Sequence, residues 1–220
     1  MKTECQDRTI QGDVFFAQAE KLQLAKTCRS QPAAFDSNRI EKAVKEILIA
    51  IGEDPEREGL LETPSRVARM LKELTEGLHK NEKEELSCRF HEEKAGVVLV
   101  KDITFSSTCE HHMLPFTGVA HVAYLPKEGQ ITGLSKLARV VECVSKRLQV
   151  QERMTSQIAD AIETTLDPLG VFVMVEAEHS CMVLRGIKKP GSLTVTMESR
   201  GVYKEDQDLR RELLSLVTRA

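Results

Sequence analysis

Cys109-Glu110-His111-His112, read together with His179-Ser180-Cys181, is the stretch from which the rest of this chain is best understood. Thiolates and imidazoles bind a borderline-soft divalent ion such as zinc, and the two-residue gap between Cys109 and His112 lets one tight turn present both. Pro115 and Gly118 mark that turn from the C-terminal side. His179 and Cys181 are two apart in what reads as a strand end, and an extended backbone sends both to one face. That supplies a third ligand with another imidazole beside it. Structural zinc sites are closed by four protein ligands, whereas catalytic ones use three and leave a position to water. The remaining cysteines, Cys5, Cys28, Cys88 and Cys143, lack a near partner except Cys88 with His91. That pair sits in the charged stretch from Lys80 to Lys94 and reads as surface residues of a solvated connection.

Composition narrows the class of protein. A chain of 220 residues can bury one sizeable core, with room for a smaller helical appendage. The 31 basic and 34 acidic residues leave a net charge of −3, which gives no footing to a general nucleic-acid binder. Six cysteines are too few for a disulfide-dense secreted domain, and no N-terminal apolar run with a basic flank is present, so a reducing cytoplasm is the expected compartment. No stretch approaches the roughly 20 apolar residues of a membrane span, and no membrane partner is expected.

Along the chain, residues 1–37 are expected to form a mobile arm. From Arg39 to Ile51 the apolar residues fall at helical spacing, with Gly52 as the stop. A further helix is predicted from Thr63-Pro64, threonine as N-cap and proline first, burying Val67, Met70, Leu71, Leu74 and Leu78 and ending near Gly77. Arg66 and Arg69 share a face of it, which by itself reads as a solvated face. Val97–Thr104 and Phe116–Leu125 read as paired strands, with His121 a structural histidine. Ser135 is the expected N-cap of a helix to about Leu148, which carries Lys136 and Arg139 three apart near its start. Met154, Ile158, Ile162 and Leu166 define the next helix, and Val171–Ala177 and Leu193–Met197 the last strands. Leu209, Leu213, Leu214 and Val217 read as a packing helix in the tail. The order strand, strand, helix, helix, strand, strand points to an α+β fold in which a helix pair lies on an antiparallel sheet.

Cys109-Glu110-His111-His112, Gly133-Leu134-Ser135-Lys136, Gln149-Val150-Gln151-Glu152-Arg153, and His179-Ser180-Cys181-Met182 followed by Arg185-Gly186, resemble, in order and spacing, the signature segments of the GTP cyclohydrolase I family. The resemblance covers about residues 38–204. Leu148 stands where the family more often has proline, and Tyr203 where phenylalanine is common.

The resemblance implies a tunnelling fold (ββααββ) over 95–204, preceded by a helical region over 38–94 and followed by a tail over 205–220. It implies a homodecamer of two stacked pentameric rings with active sites at subunit interfaces. The implied activity is hydrolysis of GTP to formate and 7,8-dihydroneopterin triphosphate, the first step of folate- or biopterin-type pterin synthesis. Zinc would be held by Cys109, His112 and Cys181, with His111 and His179 as the proton-transfer pair and Ser135 near the ribose. Glu152, assisted by Gln151, would read guanine; Lys136, Arg139, Arg185, Arg66 and Arg69 would meet the triphosphate. A ring subunit that holds zinc and a pterin or nucleotide without turnover is the competing reading. Every expected catalytic position is occupied, which weighs against it.

Overall fold

Period-two alternation on two long strands sets the architecture. The computed structural model describes residues 34–218, so nearly all of the arm expected over 1–37 lies outside the described residues. Strand β2 (Val98–Cys109) pairs antiparallel with β3 (Pro115–Leu125), and β3 pairs in turn with β6 (Gly170–His179) and β6 with β7 (Leu193–Gly201). The two-residue strand β5 (Leu148–Gln149) runs parallel to the end of β2, giving the order β5-β2-β3-β6-β7. A separate ribbon joins β1 (Arg89–His91) to β4 (Gln130–Thr132). β2 is longer than expected, and its last residue is Cys109 itself.

One face of the sheet, carrying Ala120, Val122, Tyr124, Val171, Val173 and Val175, is covered by helices α3 (Leu134–Ser145) and α4 (Gln151–Leu166). Leu137, Val140, Met154, Ile158 and Ile162 are fully buried there, each removal from water favouring the fold by about 1.5–3 kcal/mol. Asp167, in the left-handed region at φ 45°, stops α4 before Pro168. On the opposite face Ala123, Phe172 and Met174 meet Tyr203 and the tail helix α7 (Gln207–Thr218), which buries Leu213 and Val217. Between β7 and α7 lies the single turn α6 (Val202–Glu205). The ββααββ order and the packing helix of the tail are both present.

The helix starts differ from expectation. Helix α1 (Ser37–Ala50) is capped by Asp36, whose carboxylate accepts from the Arg39 amide at 3.0 Å. Helix α2 (Thr63–Leu74) has Glu62, not Thr63, at its N-cap, and α3 has Gly133, not Ser135; neither cap makes a side-chain hydrogen bond. Ser135 is thus a first-turn residue. On α2 only Ala68 is buried and Met70 is exposed, because α1 and α2 chiefly cover each other; Leu78, expected on the same helix, lies in the 3-10 turn Glu76–His79 beyond it and is also exposed.

The connection from Lys80 to Lys94 is not simply solvated. Leu86 is fully buried in the main core, and Arg147 reaches back to donate to Gly77 O (2.9 Å), Lys80 O (3.3 Å) and the Glu82 carboxylate (2.6 Å). Gly77 lies so close to α3 that an added Cβ would stand 2.0 Å from the Cys143 carbonyl oxygen. The segment ahead of residue 94 is tied to the core of the sheet domain through Leu86 and Arg147. Cys88 and His91 are exposed, as expected of them.

Candidate metal centre

The turn between β2 and β3 is closed by its own backbone. The Cys109 amide donates to Leu114 O at 2.8 Å and the Met113 amide to Cys109 O at 2.8 Å, with Met113 in the left-handed region at φ 54°. Gln149 O accepts from the Glu110 amide at 3.0 Å, fastening the turn to β5. Arg153, in the first turn of α4, donates to the Glu110 carboxylate, to Gln149 Oε1 (3.0 Å) and to Leu148 O (2.9 Å). The Arg153 hydrogen bond holds the Glu110 carboxyl below the usual carboxylate range. Cys109 is thereby buried and His112 exposed, the two sides of one turn.

The other half of the site comes from the end of β6. His179 is the last strand residue, but Cys181 belongs to a helical turn, α5 (Ser180–Val183), so the expected extended geometry does not hold here. The helical turn nonetheless delivers the thiol: the ligand atoms of Cys109, His112 and Cys181 all lie within 4.8 Å of one another. Burial, and then the neighbouring Cys109, push the Cys181 thiol up. Two crowded sulfurs with an imidazole are a donor set that a divalent, borderline-soft cation would neutralise, so the residues fit a metal ion. Arg185 Nη1 lies 2.7 Å from His112 Nε2; guanidinium can only donate, so that nitrogen presents its lone pair.

The flanking histidines differ. His111 turns away from His112, with ring planes at 85° and centroids 6.4 Å apart, and is solvent-exposed. His179 stacks on Phe116, centroids 4.5 Å apart and planes within 3°, and its Nε2 is 2.8 Å from Gln151 Oε1. Burial pushes its pKa below 6.5 against the opposing pull of Glu152, so the ring is neutral near pH 7. Glu152 itself is exposed and makes no hydrogen bond or ion pair among the described residues.

The basic residues are more dispersed. Arg185 joins the cluster through His112, whereas Arg66, Arg69, Lys136 and Ser135 make no hydrogen bond or ion pair with it among the described residues. Arg139 faces Glu85 at 4.0 Å, beside a cavity of about 250 Å³ also lined by Glu76, Lys80, Glu142 and Cys143. Glu110, Gln149 and Arg153 stand in the signature segments with no role that the sequence assigns, and Phe116 stands in a strand with none. The i, i+4 spacing of Gln149 and Arg153 was the available signal; the stacking of Phe116 on His179 depends on strand register and had none.

Against known proteins, the sequence model of a family described as GTP cyclohydrolase I matches residues 40–218. A protein of Caldanaerobacter subterraneus subsp. tengcongensis named GTP cyclohydrolase 1 is 58% identical over 182 residues, 83% of this chain and 97% of its own length. One of the same name from Streptococcus pyogenes is 56% identical over 191 residues, 87% and 98% of the two chains. A third, from Streptococcus mutans serotype c, is 57% identical over 182 residues, covering 83% and 95%.

Proposed function

This chain belongs to the GTP cyclohydrolase I family, and from that membership and the Cys109–His112–Cys181 cluster we propose that it hydrolyses GTP to formate and 7,8-dihydroneopterin triphosphate, using zinc. The observation that carries the reading is the convergence of that three-residue donor set, from two separate elements, beside the neutral imidazole of His179. Zinc held by three protein ligands supplies a Lewis-acidic position that lowers the pKa of water to roughly 7.

The remaining roles fall to the protein. His179, neutral near pH 7, is suited to accept and return a proton as water adds at C8 and the imidazole ring of guanine opens. His111, exposed on the turn that carries Cys109 and His112, is its partner in proton transfer. Glu152 offers two acceptor oxygens in one plane to the adjacent N1–H and N2–H donors of guanine, a bidentate match that adenine cannot make. Ser135 takes the ribose, and Lys136, Arg139, Arg185, Arg66 and Arg69 meet the triphosphate. Assembly would complete the set, since α1 and α2 carry Arg66 and Arg69 on a helix pair with exposed Ile47, Ile49, Ile51 and Met70. We assign the protein to a homodecamer of two pentameric rings with sites between subunits, and to the cytoplasm, where its described cysteines stay free thiols. No helix among the described residues is long and apolar enough to cross a membrane.

Incubation with GTP tests the proposal. Formate release and, after oxidation, a fluorescent pterin are expected. Recovery of bound but unaltered GTP would favour a ring subunit without turnover.

A further inference from the structure

The side-chain amide of Gln151 is oriented by atoms that cannot exchange roles. Its nitrogen lies 3.0 Å from Val175 O and 2.9 Å from Thr194 O, and a carbonyl oxygen only accepts. Thr196 Oγ1, at 3.2 Å, is a third neighbour, itself 2.6 Å from Thr155 Oγ1. The nitrogen therefore faces β6 and β7, and the oxygen faces His179 Nε2 at 2.8 Å. An amide oxygen accepts, so the hydrogen in that bond belongs to the imidazole.

We propose that Gln151 is a positioning residue: its side-chain oxygen keeps a hydrogen on His179 Nε2, leaves Nδ1 as the ring atom that can accept a proton, and touches no substrate. Both side-chain amide hydrogens are engaged by the strands behind it, and the residue is 2% exposed, so no side-chain donor is left for a ligand. The expectation that Gln151 assists directly in binding the base is replaced by this indirect role. The Phe116 ring lies parallel to the imidazole and restrains its tilt, while the Gln151 oxygen fixes its rotation. A flipped ring would turn a carbon toward that oxygen and leave a buried acceptor unpaired, which costs about 1–3 kcal/mol. The carbonyls of two strands thus determine, through one amide, which nitrogen of a histidine carries the proton.

The catalytic half of this inference rests on the proposed GTP hydrolysis; the tautomer does not, and the experiment separates them. In ¹⁵N-histidine-labelled full-length protein, solid-state NMR distinguishes the protonated from the bare ring nitrogen, and His179→Ala assigns the signal by its loss. The expected result is a bare Nδ1; a bare Nε2 in the unmodified protein overturns the proposal. In kinetics, Gln151→Met should lower kcat by about 10- to 100-fold, part of the 10² to 10⁴ that a positioned acid or base contributes, with KM for GTP within about 3-fold. In the His179→Ala background the same change should have no further effect. A raised KM with kcat preserved, or effects that multiply, would show that Gln151 acts on the substrate directly and overturn the assignment. Absence of GTP turnover in the unmodified protein would defeat the proposed function while the tautomer still decides this one.

Discussion

The Arg153 guanidinium is hydrogen-bonded to the Glu110 carboxylate, tying the first turn of α4 to the turn that carries Cys109 and His112. Two of the three candidate ligands therefore depend on a residue more than forty positions away. The same guanidinium also donates to Gln149 Oε1 and Leu148 O, so the brace is a network rather than a single exposed ion pair.

Arg153→Ala should loosen that turn without unfolding the sheet. Supporting residues of this kind typically account for 10- to 100-fold in metal affinity. Competition with a chromogenic chelator should show a loss of about that size at unchanged circular dichroism. An unaltered affinity would mean that the turn holds its own shape through the Cys109–Leu114 and Met113–Cys109 backbone bonds.

Glu152→Gln should lower kcat/KM for GTP by about 10- to 100-fold, the loss expected when one charge-assisted bidentate contact is removed. Oligomer size should not change, because Glu152 makes no hydrogen bond or ion pair among the described residues. Undiminished preference for guanine over other purines in this variant would count against its role.

His121 makes a pH-dependent contribution to stability. It is 3% exposed, accepts from the Asp102 amide at 3.3 Å, and lies 3.9 Å from both the Asp102 and Glu176 carboxylates, with Lys101 adding an opposing charge. Burial lowers its folded pKa below 6.5 despite the two carboxylates. As pH falls, the unfolded chain therefore takes up the proton first, so this stability is present above about pH 6.5 and is lost on acidification toward the folded value. His121→Gln should flatten the fall in melting temperature between about pH 7.5 and 5. Equal slopes in the two proteins would contradict this.

Much of the architecture was legible because it depends on local periodicity. Met154, Ile158, Ile162 and Leu166 announce their helix by spacing, and the alternation through Phe116–Leu125 announces a strand with two different faces. Periodicity says which residues share a face, not what covers it, so Met70 and Leu78 were expected inside and are exposed. Capping was overread: Thr63 and Ser135 have the right chemistry, but the chain enters those helices one or two residues earlier. At the candidate centre the ligand types were legible and the backbone was not, since Cys181 reaches Cys109 from a helical turn. The surroundings of the Gln151 side chain were illegible for a deeper reason. Whether an amide faces a ligand or two strand carbonyls is settled by the register of β6 against β7, which no local pattern records.

The most direct measurement is to strip the metal with a chelator, return zinc in known amounts, and follow formate release from GTP in the same sample. The account predicts that activity rises in proportion to zinc and levels off at one ion per chain, and that Cys181→Ser neither binds the ion nor recovers. Full formate release from metal-free protein, or undiminished zinc binding and turnover in Cys181→Ser, would contradict it.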